Sequence, residues 1–302
     1  MRRFIISDIH GYGNLYYSVM SYLDNVSKFD EIELYINGDL IDRGYESAEI
    51  LLDIIKRINE NKFKIVYLGG NHELMMYQEY EDKKTKEFTY YNNWYYNGGY
   101  MTDDGLHEIL QDDNKINSVV SFISNLNIYH CFNEKIGDKR ILLVHAASPL
   151  KVLEECDLKI KDNNDEITKC VWLRDNFPFN IFDKKVGNKD YFTIIGHTPN
   201  NANTGYLYNK KNNYLNIDGG VALYLTGSFK YNHYPLIEIC DNYLKILTFN
   251  GNNSIVYGNY FIDNKSIPFT KSELQKEKEL LSPTVKIKKL SINSDGIVGY
   301  WN

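Results

Sequence analysis

Asp8, His10, Asp39, Asn71, His145 and His197 are the residues of this sequence whose types and placement could do chemistry together. Asp8 and His10 stand two apart at the end of an extended run, a spacing that sends both side chains to one side and lets them converge on one cation. Asp39 follows Gly38, whose missing side chain allows a tight turn, and the two oxygens of a carboxylate can bridge two cations. Asn71, His145 and His197 would complete a second site with an amide oxygen and imidazole nitrogens. That mixed set suits Mn, Fe or Zn better than Mg or Ca. Two such ions roughly 3.5 to 4 Å apart can share a hydroxide and clamp a phosphoryl group during in-line displacement, the hydroxide being accessible because metal binding lowers the pKa of water to about 7. The expected chemistry is hydrolysis of a phosphate ester. Taken singly, each residue has an ordinary reading: Asp8 as a helix cap, His145 or His197 as a core imidazole, Asp39 to Asp42 as a turn. Their joint placement is what argues for a site.

Elements must bring these residues together. Phe4-Ile5-Ile6 leads into Asp8 and His10, Glu33 to Ile36 into Gly38-Asp39, Lys64 to Leu68 into Gly70-Asn71-His72, Ile141 to Val144 into His145, and Phe192 to Ile195 into Gly196-His197. Each run reads as a strand, and each ends in a polar cluster. The carboxyl edge of an open α/β sheet is where ligands bind, so the pattern predicts one shared site. Leu15, Val19, Tyr22, Leu23 and Val26 repeat at helical spacing after the first run, as do Ile50, Leu51, Ile54, Ile55 and Ile58 after the second, which predicts crossover helices. After His197 the runs Tyr214 to Ile217, Leu236 to Ile239 and Leu244 to Thr248 follow with no helix between them, predicting a second, mainly antiparallel sheet. An α/β fold of two sheets packed face to face with outer helices is expected.

Residues 1–250 read as the catalytic domain. Within it, residues 74–128 read as an insertion rich in charge and tyrosine, with Tyr90, Tyr91, Trp94, Tyr95, Tyr96 and Gly98-Gly99, helical in large part and placed to wall the site. Its stretch from Tyr90 to Tyr100 could stack an adenine ring, although packing is the commoner role of such a cluster. Residues 251–302 read as an appendage with a helix from Lys271 to Leu281 stopped by Pro283, and no chemistry attaches to it.

At 302 residues the chain can bury a full core by itself. No apolar run approaches the roughly 20 residues that span a bilayer. Phe4-Ile5-Ile6 is also too short for the core of a secretory signal, so a cytoplasmic protein is expected. With 34 Lys and Arg against 40 Asp and Glu, the net charge of −6 disfavours a nucleic-acid polymer as partner. Cys131, Cys156, Cys170 and Cys240 show no C-x-x-C spacing and fit reduced, mostly buried thiols. His107, His130 and His233 stand outside the clusters and read as surface or core residues.

In order along the chain, Asp8-Ile9-His10, Gly38-Asp39-Leu40-Ile41-Asp42-Arg43-Gly44, Gly70-Asn71-His72-Glu73, His145 and Gly196-His197-Thr198 resemble the metallophosphoesterase signature in its serine/threonine phosphoprotein phosphatase form. The resemblance covers residues 1–220 and implies a four-layer αββα sandwich of two mixed β-sheets flanked by helices. It implies Asp8, His10 and Asp39 on one metal and Asp39, Asn71, His145 and His197 on the other. The two divalent ions would be Mn²⁺ foremost, with Fe or Zn as alternatives. It also implies that His72 protonates the leaving alkoxide, a task worth about 10²- to 10⁴-fold. Asp42 would orient and charge-stabilise His72, and Arg43 would grip the phosphate with its planar guanidinium. In Val171-Trp172-Leu173-Arg174-Asp175, Arg174 resembles the second phosphate-gripping arginine of bacterial and phage relatives. Pro199 follows Gly196-His197-Thr198, where many nucleases and phosphodiesterases carry Gly-His-x-His; the absent second histidine favours the branch of phosphoprotein phosphatases and diadenosine tetraphosphatases.

The expected function is therefore a dinuclear-metal-dependent serine/threonine protein phosphatase acting on phosphoprotein or phosphopeptide monoesters, with small phosphorylated molecules as other substrates. A nucleotide hydrolase resembling diadenosine tetraphosphatases is the alternative. A catalytically silent scaffold is a third reading, disfavoured because such relatives lose ligands or the acid and this chain keeps both. The sequence leaves the oligomeric state open.

Overall fold

A computed structural model describes residues 1–86, 93–174, 186–225, 227–228, 233–250 and 254–281. Tyr90, Tyr91, Asp175 and Pro283, named above, lie outside the described residues. In chain order the elements are β1 (Arg2–Ile6), α1 (Gly13–Val26), β2 (Ile32–Asn37), α2 (Ser47–Glu60), β3 (Lys64–Leu68), α3 (Asn71–Thr85), α4 (Asn93–Tyr96), α5 (Tyr100–Leu110), α6 (Asp113–Ser124), β4 (Tyr129–Ile136), β5 (Lys139–Val144), α7 (Asp165–Trp172), β6 (Tyr191–Ile195), β7 (Leu207–Asn209), β8 (Tyr214–Asn216), α8 (Val221–Leu225), β9 (His233–Cys240), β10 (Tyr243–Asn250), β11 (Ser254–Ile262), β12 (Lys265–Pro268) and α9 (Lys271–Glu279). Among the described residues no helix is long and apolar enough to cross a membrane. The four cysteines are free thiols.

The strands form a seven-stranded sheet, β12-β11-β10-β9-β1-β2-β3, and a five-stranded sheet, β4-β5-β6-β8-β7. Both are mixed. β1, β2 and β3 run parallel while β9 pairs antiparallel with β1, and β5, β6 and β8 run parallel between antiparallel β4 and β7. The alternation of side chains explains why the inner positions of these strands are mostly apolar on both faces. Ile5, Tyr35, Ile141, Leu143, Phe192, Ile194, Ile237 and Ile246 meet in one cluster drawn from both sheets, which is the core between them. Phe4, Ile6, Leu34 and Ile36, on the opposite face, pack instead with Leu15, Val19 and Leu23 of α1 and Ile50, Leu51 and Ile54 of α2. A strand covered on both faces has no polar side to show. The result is the expected sandwich of two mixed sheets flanked by helices.

The assignment of strands to sheets differs from the sequence expectation in one respect. The three runs after His197 do not make a sheet of their own: β8 joins the five-stranded sheet beside β6, whereas β9 and β10 extend the first sheet from the open edge of β1. A short helix, α8, also separates β8 from β9. Pattern within a run sets which side chains share a face, but not which free edge the run pairs with, and the pairing of Arg3 with Ile239 joins segments far apart in the sequence.

Residues 74–128 hold most of α3 together with α4, α5 and α6, and Leu106, Leu110, Ile116, Val119 and Ile123 bury into the helix-side core. Beyond residue 250, β11 and β12 continue the first sheet, and α9 is tied to it through Glu277, which accepts from Tyr22 Oη at 2.6 Å and Lys245 Nζ at 2.6 Å.

Candidate metal centre

Five strand ends supply the site, three from one sheet and two from the other. Asp8 and His10 follow β1, Asp39, Asp42 and Arg43 follow β2, and Asn71 and His72 open α3 just after β3; His145 follows β5 and His197 follows β6. Asn37 ties the two sheets at this edge, donating from Nδ2 to the Val144 carbonyl at 3.1 Å while its own carbonyl accepts from His145 Nδ1 at 2.7 Å. The loops are tightly wound: Asp8, His10, Asp39, Asp42, Arg43 and His197 all have φ between 48° and 73°. Left-handed backbone costs a non-glycine residue on the order of 1–3 kcal/mol and persists where surrounding structure over-determines it. Period-two alternation therefore does not aim Asp8 and His10, because β1 ends at Ile6 and both residues have left the strand. Gly38, at φ 78°, could carry no side chain, since a Cβ there would lie 2.6 Å from the Gly70 backbone.

Two groups of donor atoms result, His10 with Asp39 and His72, and Asp39 with His145 and His197, each with its atoms within 4.8 Å of one another. Asp39 belongs to both. Its Oδ2 lies 3.6 Å from His10 Nε2 and 3.9 Å from His72 Nε2, while its Oδ1 lies 3.3 Å from His145 Nε2. One carboxylate thus presents one oxygen to each group. The carboxylate is itself set by the start of α3, whose His72 N–H donates to Oδ1 at 3.1 Å. Asn71 Oδ1 sits 3.1 Å from His145 Nε2 and 2.8 Å from His197 Nδ1, joining the second group. Asp8 is turned otherwise: Oδ1 accepts from the His197 N–H at 2.9 Å and Oδ2 from Ser7 Oγ at 2.5 Å. Gly196 leaves room for it there, since a Cβ at that position would lie 2.0 Å from Oδ2.

The donor set fits divalent cations. The Nδ1 of His145 donates to the Asn37 carbonyl and that of His10 to the Ile41 carbonyl at 3.1 Å, which leaves each Nε2 lone pair facing Asp39. Imidazole, amide and carboxylate lone pairs converging in a buried space repel unless positive charge lies among them. The same demand appears in the titration of His145: burial opposes its charge, but Asp39 and then Asp8 push it up to about 10. Burial likewise opposes ionisation of Asp39, yet His145, His72 and His10 hold its carboxyl well below the usual range. Burial, then neighbouring cationic groups, keep His10 and His197 neutral, as ligand imidazoles must be.

Beside these groups stand the residues expected to handle phosphate and leaving group. His72 Nδ1 donates to Asp42 Oδ2 at 2.6 Å, and both side chains are fully buried. Arg43 reaches His10 Nε2 at 3.2 Å with one guanidinium nitrogen and His72 Nε2 at 2.9 Å with the other. On the opposite side Arg174 Nε lies 3.1 Å from His197 Nε2, and its Nη2 donates to the His197 carbonyl at 3.0 Å.

The calcineurin-like phosphoesterase family matches residues 1–227. This chain belongs to that family. Among solved structures, a protein serine/threonine phosphatase from Saccharomyces cerevisiae is similar with a TM-score of 0.53 at 15% identity, over 83% of this chain and 80% of that one. A cold-active protein tyrosine phosphatase gives 0.49 at 16% identity, over 87% and 79%. A candidate diadenosine tetraphosphatase gives 0.42 at 16%, over 89% and 94%. The yeast enzyme, at that identity, shares the fold. No curated protein matches the sequence at a significant level.

Two buried acids of this phosphoesterase escaped the sequence reading. Asp218 caps the end of β8, is raised to about 6 by burial and by the charge of Asp39, and adds to the burial that raises Asp8. The strand-end rule could have found it, since the run Tyr214 to Ile217 leads straight into Asp218. Glu73 closes the Gly70-Asn71-His72-Glu73 motif, and its carboxylate accepts from the N–H groups of Asp39 at 2.9 Å, Gly70 at 2.8 Å and Leu40 at 3.1 Å, and from Tyr67 Oη at 2.7 Å. It therefore holds the left-handed Asp39 turn against α3. In Glu73→Gln an amide NH₂ must face one of those N–H groups whichever way it is turned. The expected cost is about 1–3 kcal/mol of stability, read by urea denaturation, together with weaker metal binding in a titration. An unchanged midpoint and affinity would show that Glu73 does not hold the turn.

Proposed function

We propose that this phosphoesterase is a serine/threonine protein phosphatase that hydrolyses phosphomonoesters on protein or peptide substrates and depends on two divalent cations, Mn²⁺ foremost and Fe or Zn as alternatives. The observation that carries the reading is the sharing of Asp39 between two imidazole groups, with the buried His72–Asp42 pair beside them. His10 and Asp39 would hold one cation, joined by Asp8 once one of its oxygens turns from Ser7 or the His197 N–H, and Asp39, Asn71, His145 and His197 would hold the other. Bound there, two such ions neutralise phosphoryl oxygens and acidify the attacking water.

The protein's own groups do the rest. Arg43 and Arg174 bracket the site from opposite sides, and each guanidinium presents a fork that matches two phosphate oxygens. When Arg43 turns to phosphate it frees the His72 Nε2 lone pair, which takes up a proton from solvent and passes it to the departing serine or threonine oxygen. Asp42 keeps Nδ1 of the same ring as donor and balances the charge that His72 gains with that proton.

A second reading, hydrolysis of a diadenosine polyphosphate, is favoured by one observation. Tyr96 and Tyr100 are 87% and 44% exposed on either side of Gly98, whose carbonyl accepts from the Arg43 N–H at 3.2 Å, so aromatic faces are open near the phosphate-gripping residue. Purified protein loaded with Mn²⁺ is expected to cleave a phosphoserine peptide faster than a phosphotyrosine peptide or diadenosine tetraphosphate. A large preference for the dinucleotide would overturn the first reading in favour of the second. Metal analysis separates both from a silent scaffold: two equivalents are expected after Mn²⁺ loading, and fewer would count against catalysis.

A further inference from the structure

The Asp42 carboxylate is held by two further side chains that the phosphatase reading leaves without a task. Trp94, on α4, donates from Nε1 to Asp42 Oδ2 at 2.7 Å, and Thr102, on α5, donates from Oγ1 to Asp42 Oδ1 at 2.5 Å. The Thr102 hydroxyl also accepts from the Asp42 N–H at 3.1 Å, so it clasps the residue at both backbone and side chain. The geometry points to Trp94 and Thr102 as positioning residues: through them the inserted helices fix the orientation of Asp42 and, through Asp42, that of His72. This inference rests on the reading of His72 as the acid.

Three features support it. All four side chains are fully buried, so no solvent competes for the carboxylate, and charge-assisted hydrogen bonds are strongest in that setting. The indole N–H can only donate, so Oδ2 has one arrangement between Trp94 and His72. The loop itself needs the support: Asp42 and Arg43 have φ of 73° and 72°, and the third contact is the Gly98 carbonyl on the Arg43 N–H. Residues 94, 98 and 102 thus meet residues 42 and 43 at three points. A buried indole N–H needs an acceptor, and the one it finds here is the carboxylate oxygen that also holds His72. Trp94 has ring neighbours in Tyr80 at 6.0 Å and Tyr95 at 5.8 Å.

The test uses the full chain loaded with Mn²⁺ and two substrates, a phosphoserine peptide and p-nitrophenyl phosphate, whose leaving group needs little protonation. Trp94→Phe removes the donor and keeps an aromatic ring; Thr102→Val removes the hydroxyl at equal size, and Thr102→Ser restores it. Trp94→Phe and Thr102→Val are expected to lose roughly 10- to 100-fold in kcat on the peptide at little-changed KM, with a much smaller loss on the aryl ester, the range seen for groups that orient a catalytic side chain. Thr102→Ser should recover most of the loss. His72→Asn, measured alongside, should show the same split with a larger amplitude. If His72→Asn splits the two substrates while the Trp94 and Thr102 variants lose both equally or neither, positioning is refuted and the acid stands. If His72→Asn itself shows no split, the acid assignment falls first. Should Trp94→Phe fail to fold, the Thr102 pair decides.

Discussion

Asp39→Ala is expected to cut turnover about 10³-fold or more and to leave at most one tightly bound metal equivalent. The magnitude follows from the position: Asp39 is the only residue common to both donor groups, so its removal takes an oxygen from each. Loss of several kcal/mol of transition-state charge stabilisation, at tenfold per 1.4 kcal/mol, reaches that size. Metal content by elemental analysis and kcat on a phosphoserine peptide measure it. Two retained equivalents with near-normal rate would remove Asp39 from the centre.

The same carboxylate makes the chelated protein sensitive to pH. Burial opposes a charged His145, but Asp39 raises its pKa from 6.5 to about 10. A proton bound more tightly in the fold than in the unfolded chain contributes fully below pH 6.5, and the contribution disappears as pH climbs through 10. The melting temperature of metal-free wild type should therefore decline across that window, and Asp39→Ala should decline less. A flat wild-type profile would mean that His145 carries no extra proton in the fold.

His72→Asn is expected to keep both metal equivalents and to lose roughly 10²- to 10⁴-fold on alkyl phosphates, with a far smaller loss on aryl phosphates. An alkoxide leaves poorly without a proton, whereas a nitrophenolate leaves without one. The preserved metal content matters because His72 Nε2 lies 3.9 Å from Asp39 Oδ2, close enough to be counted among the donor atoms. Asparagine retains a polar group there and removes the transferable proton. If His72→Asn loses a metal equivalent together with both substrates, the residue is a ligand and another group is the acid.

Each run from Phe4-Ile5-Ile6 to Phe192-Ile195 is a strand ending at a polar cluster, because a strand packed on both faces is mostly apolar and the chain turns polar where it leaves the core. The convergence of Asp39, Asn71, His145 and His197 followed from those ends. The aim of Asp8 did not, since its left-handed backbone and the space beside it are set with Gly196 and His197, the latter 189 positions away. Nor did the place of β9 and β10, because an edge strand's partner is chosen by which neighbours are already paired.

The sequence by itself therefore determined the strands, the polar residues at their carboxyl ends and the class of chemistry those residues can do. These are local signals, written in side-chain period and in residue type over a few positions. Only the tertiary structure decided which sheet each strand joins, which oxygen of Asp39 faces which imidazole, and that Glu73, Trp94 and Thr102 hold the turns on which Asp39 and Asp42 sit. Those outcomes depend on contacts a few ångströms long between residues far apart in the sequence, from Thr102 on Asp42 to Arg3 paired with Ile239, and a spacing rule has no term for them.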